Sequence, residues 1–95
     1  MGITIVHCNI RSWKANRYAF LMEIQNYSPH VIMLNEISTH STDKMYVGGY
    51  NVIASHNGPN SGVAIFIKKC LQYELIPVQD INTLAIKIFT NTSQR

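Results

Sequence analysis

Two side chains in this 95-residue chain stand where α/β proteins do chemistry. Asn9 lies just past the β-branched run Ile3-Thr4-Ile5-Val6, and Glu36 just past the apolar run Val31-Ile32-Met33-Leu34. A helical segment of roughly a dozen residues separates the runs, so they read as two parallel strands joined by a crossover helix. In open α/β sheets the ligand crevice forms outside the carboxyl ends of such strands. A carboxylate there suits a hard cation: Mg²⁺ takes one or two carboxylates, keeps several waters and completes its shell with substrate phosphate oxygens. The Asn9 amide can orient a phosphate oxygen or an ordered water without adding negative charge. Each residue also has a plainer role open to it, a solvated loop carboxylate or a turn-forming amide.

Other chemistries find less support. Histidines 7, 30, 40 and 56 lack HxH or HxxxH spacing, which argues against a zinc site. Ser12 and Ser61 have no base nearby in sequence, so no hydrolase triad can be argued. Gly58-Pro59-Asn60-Ser61-Gly62 lacks the Lys-Ser/Thr of a phosphate loop and enters a strand rather than a helix. It reads as a flexible hairpin connection. Cys8 and Cys70 are far apart and read as two reduced, buried thiols. Tyr46, Tyr50 and the Trp13–Tyr18 stretch offer either stacking faces for bases or ordinary core aromatics.

The elements that must position Asn9 and Glu36 follow from the apolar pattern. The run from Ile3 to Cys8 is nearly continuous, the signature of a strand buried on both faces. Ser12, or Asn16 one turn later, serves as helix N-cap. Trp13, Phe20, Leu21, Ile24 and Tyr27 gather on one side of the helical wheel, and Ser28-Pro29 closes the helix. Residues 37–44 read as a polar loop, and Gly48-Gly49 as a turn before a strand from Tyr50 to Ala54. A strong strand runs from Val63 to Ile67, ending in Lys68-Lys69, with further strands at residues 72–76 and 83–89. Late hairpins after an initial β–α–β unit make an α/β (α+β) fold with a mixed sheet and one main helix. A single helix leaves much of that sheet uncovered.

Composition bounds the rest. The hydrophobic fraction is 46% against 14% charged, which argues against disorder and for one small domain. A net charge of +3 leans towards a polyanionic partner, although Lys and Arg are scattered along the sequence. No apolar run is long enough to span a bilayer. The start lacks a basic n-region and a cleavage site, so the expected location is intracellular and not secreted. Without a secretory signal, the glycosylation pattern Asn91-Thr92-Ser93 reads as chance.

The string Ile3-Thr4-Ile5-Val6-His7-Cys8-Asn9-Ile10-Arg11-Ser12 resembles the first motif of the endonuclease/exonuclease/phosphatase superfamily. More narrowly, it resembles the apurinic-endonuclease-like domain of non-LTR retrotransposons. Pro29-His30-Val31-Ile32-Met33-Leu34-Asn35-Glu36 resembles the second motif, with Asn35 where many relatives have Gln and His30 where many have Asp. Gly49-Tyr50-Asn51-Val52 and Ser61-Gly62-Val63-Ala64-Ile65-Phe66-Ile67-Lys68 resemble the strands that follow. The resemblance implies a two-sheet α/β sandwich, one Mg²⁺ or Mn²⁺, DNA as partner, and phosphodiester cleavage by an activated water. It implies Glu36 as metal ligand and Asn9 as the residue that helps hold the metal–phosphate cluster. The family's tyrosine, Asp-x-Asn pair, later aspartate and Asp-His base lie C-terminal to the stretch matched here. Residues 1–95 are therefore expected to form the N-terminal portion of such a domain, binding metal weakly and cleaving nothing alone. Two other readings stay open: a non-catalytic half-domain that binds nucleic acid or protein, and a phosphoesterase of the same superfamily.

Overall fold

The computed structural model describes residues 2–90; the 91–93 glycosylation pattern lies outside them. The elements run β1 (Ile5–Asn9), α1 (Trp13–Ile24), β2 (Val31–Asn35), β3 (Tyr50–Ser55), β4 (Val63–Lys68), β5 (Gln72–Ile76) and β6 (Ala85–Phe89). The first four strands form one mixed sheet in the order β1-β2-β4-β3, with β1 and β2 parallel and the other pairs antiparallel. Strands β5 and β6 form a separate antiparallel hairpin.

Ser12 caps α1, its Oγ accepting from the Ala15 amide at 3.2 Å. Asn16, the other candidate cap, lies inside the helix and donates from Nδ2 to the carbonyls of Ile10 and Arg11. Trp13 and Ile24 are buried and Phe20 and Leu21 half-buried, all against Ile32, Leu34 and Phe66 of the sheet. The Trp13 and Phe66 rings stack with centroids 5.4 Å apart. Tyr27 departs from the expected face: α1 ends at Ile24 and the chain turns away, leaving Tyr27 66% exposed. Loop residues Ile37 and Met45 complete this core, so the helix does not cover the face alone.

The opposite face carries Val31, Ile65 and Ile67, which pack under Tyr73, Ile86 and Ile88 of the β5–β6 hairpin. The hairpin therefore supplies cover that the sequence reading left missing, but only over part of the sheet. β1 is an edge strand and is not buried on both faces: Val6 and Cys8 face the core, whereas Ile5 is 55% exposed. On β2 the register partner of Ile5, Val31, is buried, whereas Met33, opposite His7, is 37% exposed. The cysteines also depart from expectation. Cys8 is half-buried and Cys70 exposed, both as free thiols.

Candidate active site at the parallel strand ends

The β1–β2 register pairs Ile5 with Val31 and Asn9 with Asn35, so Asn9 ends its strand beside the residue that precedes Glu36. The ladder continues past both strands. The amides of Ile10, Ser12 and Trp13 donate to the carbonyls of Asn35, Glu36 and Ile37 at 2.9–3.1 Å. The start of α1 is thus tied to the segment that carries the carboxylate.

Within this frame Asn9 Nδ2 donates to Glu36 Oε2 at 2.7 Å. A hydrogen bond to an ionised acceptor is shorter and stronger than a neutral one, and this distance is typical of that class. It orients both groups: Glu36 Oε1 and Asn9 Oδ1 remain as two acceptors at the strand ends. Side chains two apart on a strand share a face, which places His7 beside Asn9. His7 Nε2 and Asn35 Oδ1 lie 3.0 Å apart. In sequence, the alternation from Asn9 back to His7 is the signal that points to this pair.

Glu36 reaches its position through unusual backbone. Its φ is 52° and that of Ser38 is 53°, left-handed values that cost a non-glycine residue roughly 1–3 kcal/mol each. The intervening Ile37 is fully buried. The segment lies against the loop that enters β4, with the Ile37 amide on the Gly62 carbonyl at 3.3 Å and the Ser38 amide on the Ser61 carbonyl at 3.0 Å. The 58–62 loop is thus fastened to the site by hydrogen bonds and is not a free connection.

The donor set suits a hard cation held loosely. One carboxylate and one amide oxygen match the few protein ligands that Mg²⁺ takes. Among the described residues no three or more His, Cys, Asp or Glu side chains come together to hold a metal. When bound, such a cation would polarise a phosphoryl oxygen and stabilise a leaving alkoxide. The chain's own contribution is to fix the Glu36 carboxylate through Asn9.

The remaining candidates go elsewhere. His30 Nδ1 accepts the Thr4 amide at 3.0 Å, bracing the starts of the two parallel strands. Ser12 is the helix cap. Trp13 is core, Tyr46 and Tyr18 are exposed, and the Tyr50 hydroxyl donates to the Pro29 carbonyl at 2.5 Å. Burial raises the Tyr50 pKa above its ordinary value. Around the start of α1 the fold gathers cations that are scattered in sequence: Lys14, Arg17 and Lys44 line one open groove of about 430 Å³ with Trp13 and Asp43. Asp43 bonds the His40 amide and sits 2.9 Å from Lys14 Nζ; these contacts hold its pKa below the usual carboxylate value. Lys44 could not be assigned to this groove from spacing.

This arrangement of strands and helix is similar to that in solved AP endonucleases. An AP endonuclease from Archaeoglobus fulgidus superposes with a TM-score of 0.68 at 18% identity, over 79% of this chain and 30% of that one. The chain has part of the endonuclease/exonuclease/phosphatase fold. The Xenopus laevis APE2 catalytic domain matches that part with a TM-score of 0.60 at 26% identity, over 76% of this chain and 26% of its own. The AP endonuclease LMAP from Leishmania major matches with a TM-score of 0.62 at 18% identity, over 77% and 27%. The chain therefore spans about three tenths or less of the length of these endonucleases. No family model and no curated protein matches the chain. Within the endonuclease/exonuclease/phosphatase fold, the expected two-sheet α/β arrangement with a mixed sheet and one main helix holds.

Proposed function

We propose that residues 1–95 form the portion of a Mg²⁺-dependent DNA endonuclease domain that carries the Asn9–Glu36 half of its metal–phosphate site, in the manner of retrotransposon target-site nickases. The observation that carries this reading is the 2.7 Å hydrogen bond from Asn9 to Glu36 at two parallel strand ends. The likeness to AP endonucleases supports a nuclease, and the cationic groove of Lys14, Arg17 and Lys44 suits a phosphate backbone beside the site. Glu36 is the metal ligand. Asn9 holds the carboxylate and turns its own oxygen to the metal–phosphate cluster. Activation of water and completion of the metal shell fall to groups outside this chain, so the chain alone binds Mg²⁺ or Mn²⁺ weakly and does not cut. Loss of a general base alone removes about 10²–10⁴ in rate.

Incubation with supercoiled plasmid and Mg²⁺ tests the reading, with Mn²⁺ binding followed in parallel. The expected result is weak Mn²⁺ binding that Glu36→Gln abolishes, and no nicking. Robust nicking that Glu36→Gln leaves intact would overturn the assignment, as would Mn²⁺ affinity indifferent to that change.

A second reading, a non-catalytic binding half-domain, is favoured by the exposed apolar side chains of Ile5 and Met33. Binding to DNA or protein that persists in Glu36→Gln, comes without Mn²⁺ affinity and is lost when Ile5 and Met33 become Ser would favour it over the metal site.

A further inference from the structure

We infer that the 56–62 loop is a clasp that aims the Glu36 carboxylate, with Thr39 and His56 as its positioning residues. The inference rests on the reading of Glu36 as the site carboxylate. It starts from a burial pattern. Along residues 36–39 the side chains alternate, with Ile37 and Thr39 fully buried and Glu36 and Ser38 half-exposed. The outward direction of Glu36 is therefore set by two inward anchors.

Ile37 is anchored by the apolar core. Thr39 cannot be, because a buried hydroxyl without a partner is costly. Among the described residues it is the one fully buried polar side chain, and its partner is His56: Thr39 Oγ1 and His56 Nδ1 share a hydrogen bond of 2.6 Å. The Thr39 carbonyl accepts the Gly58 amide, 3.2 Å away. Nearer to Glu36, Ser38 Oγ accepts the Asn60 amide at 2.9 Å. With the Ile37 and Ser38 amide bonds already described, residues 37, 38 and 39 are each fastened to one loop, while the Glu36 and Ile37 carbonyls are held by the Ser12 and Trp13 amides. Left-handed backbone at two non-glycine residues persists only where its surroundings over-determine it. Without the Thr39–His56 bond the far end of the segment is released, and relaxation at Ser38 and Glu36 moves the carboxylate away from Asn9.

Isotope-labelled chain carrying Thr39→Val, Thr39→Ser or His56→Ala tests this by NMR. The Asn9 side-chain amide pair reports the bond to Glu36, and exchange of the Ile37 and Ser38 amides reports the segment. The Ile65 and Phe66 amides report the core. Thr39→Val and His56→Ala should speed exchange at Ile37 and Ser38 by about tenfold or more and move the Asn9 pair to the position of a free amide. The core amides should hold, and Thr39→Ser, which keeps the hydroxyl, should restore the wild-type spectrum. Should Thr39→Val lose the core as well, the half-exposed His56→Ala decides by itself. An unchanged Asn9 pair and unchanged Ile37 and Ser38 exchange overturn the clasp. Added Mn²⁺ separates the two readings. No broadening of Asn9 and Glu36 in the wild-type chain overturns the metal assignment while the clasp measurements stand. Broadening in the wild type that persists undiminished in Thr39→Val overturns the positioning role.

Discussion

Gly62 offers a measurable test of how tightly the Glu36 segment is held. Its φ is +92°, and a Cβ there would lie 2.9 Å from Ile37 Cγ1 and 3.0 Å from the Ser55 carbonyl oxygen. Ile37 is fully buried and the Ser55 oxygen is backbone, so neither yields easily. Gly62→Ala therefore combines two penalties. Left-handed backbone costs an alanine about 1–2 kcal/mol, and overpacking a tight site costs about 1–3 kcal/mol more. The stiffer unfolded chain returns about 0.4–1 kcal/mol, leaving a net loss of about 2–4 kcal/mol. Gly58 supplies the control. Its φ is +74° but an added Cβ meets nothing within 4 Å, so Gly58→Ala should lose about 1 kcal/mol or less. Urea unfolding of the two variants isolates the steric component as their difference. If Gly62→Ala lies within about 0.5 kcal/mol of Gly58→Ala, Ile37 and the loop are not packed as described.

Three further outcomes are expected. Phe66→Ala removes the ring that stacks on Trp13 and should cost about 3–5 kcal/mol, seen as loss of the near-UV signal of Trp13 and a collapse of the unfolding midpoint. Tyr50→Phe strands the Pro29 carbonyl and should cost about 1–3 kcal/mol. Because the folded-state pKa of Tyr50 is raised, its contribution is complete below about pH 10 and fades as pH rises through the raised value; Tyr50→Phe should remove that alkaline loss in thermal melts. Asp43 behaves in the opposite sense. Its folded pKa is lowered, chiefly by the His40 amide and then by Lys14, so its contribution is present above about pH 4 and lost as pH falls through the lowered value. Melting curves of Asp43→Asn should be flatter than wild type in that acid range, and an equally steep acid loss would count against the contact.

The strands were legible because most carry apolar runs rich in β-branched residues, as in Val31 to Leu34 and Val63 to Ile67. That same apolar character hid which face was dry. The run through β1 looks buried on both sides, yet the β5–β6 hairpin covers Val31, Ile65 and Ile67 and leaves Ile5 of β1 exposed. Tyr27 was misplaced because a helical wheel does not know that the helix stops at Ile24. Asn9 and Glu36 could be picked out because strand ends fix position as well as type. The fastening of Glu36 could not. It depends on Thr39 meeting His56 across seventeen positions and on a glycine-rich loop whose composition signals freedom while its hydrogen bonds deny it.

The position of β1 at the rim of the sheet has a consequence for timescales. Among the described residues β2 is bonded on both sides, by β1 and β4, whereas β1 is bonded on one side. Strands secured along one edge open locally at a smaller free energy than the central ladder. Asn9 therefore rides on the strand that opens more readily, and Glu36 follows the end of the strand bonded on both sides. The amides of Val6 and Cys8 should exchange earlier than those of Ile32 and Leu34. Excursion of β1 would part the two halves of the candidate site, so a partner pairing with the outer edge of β1 would lengthen the time the site stays assembled.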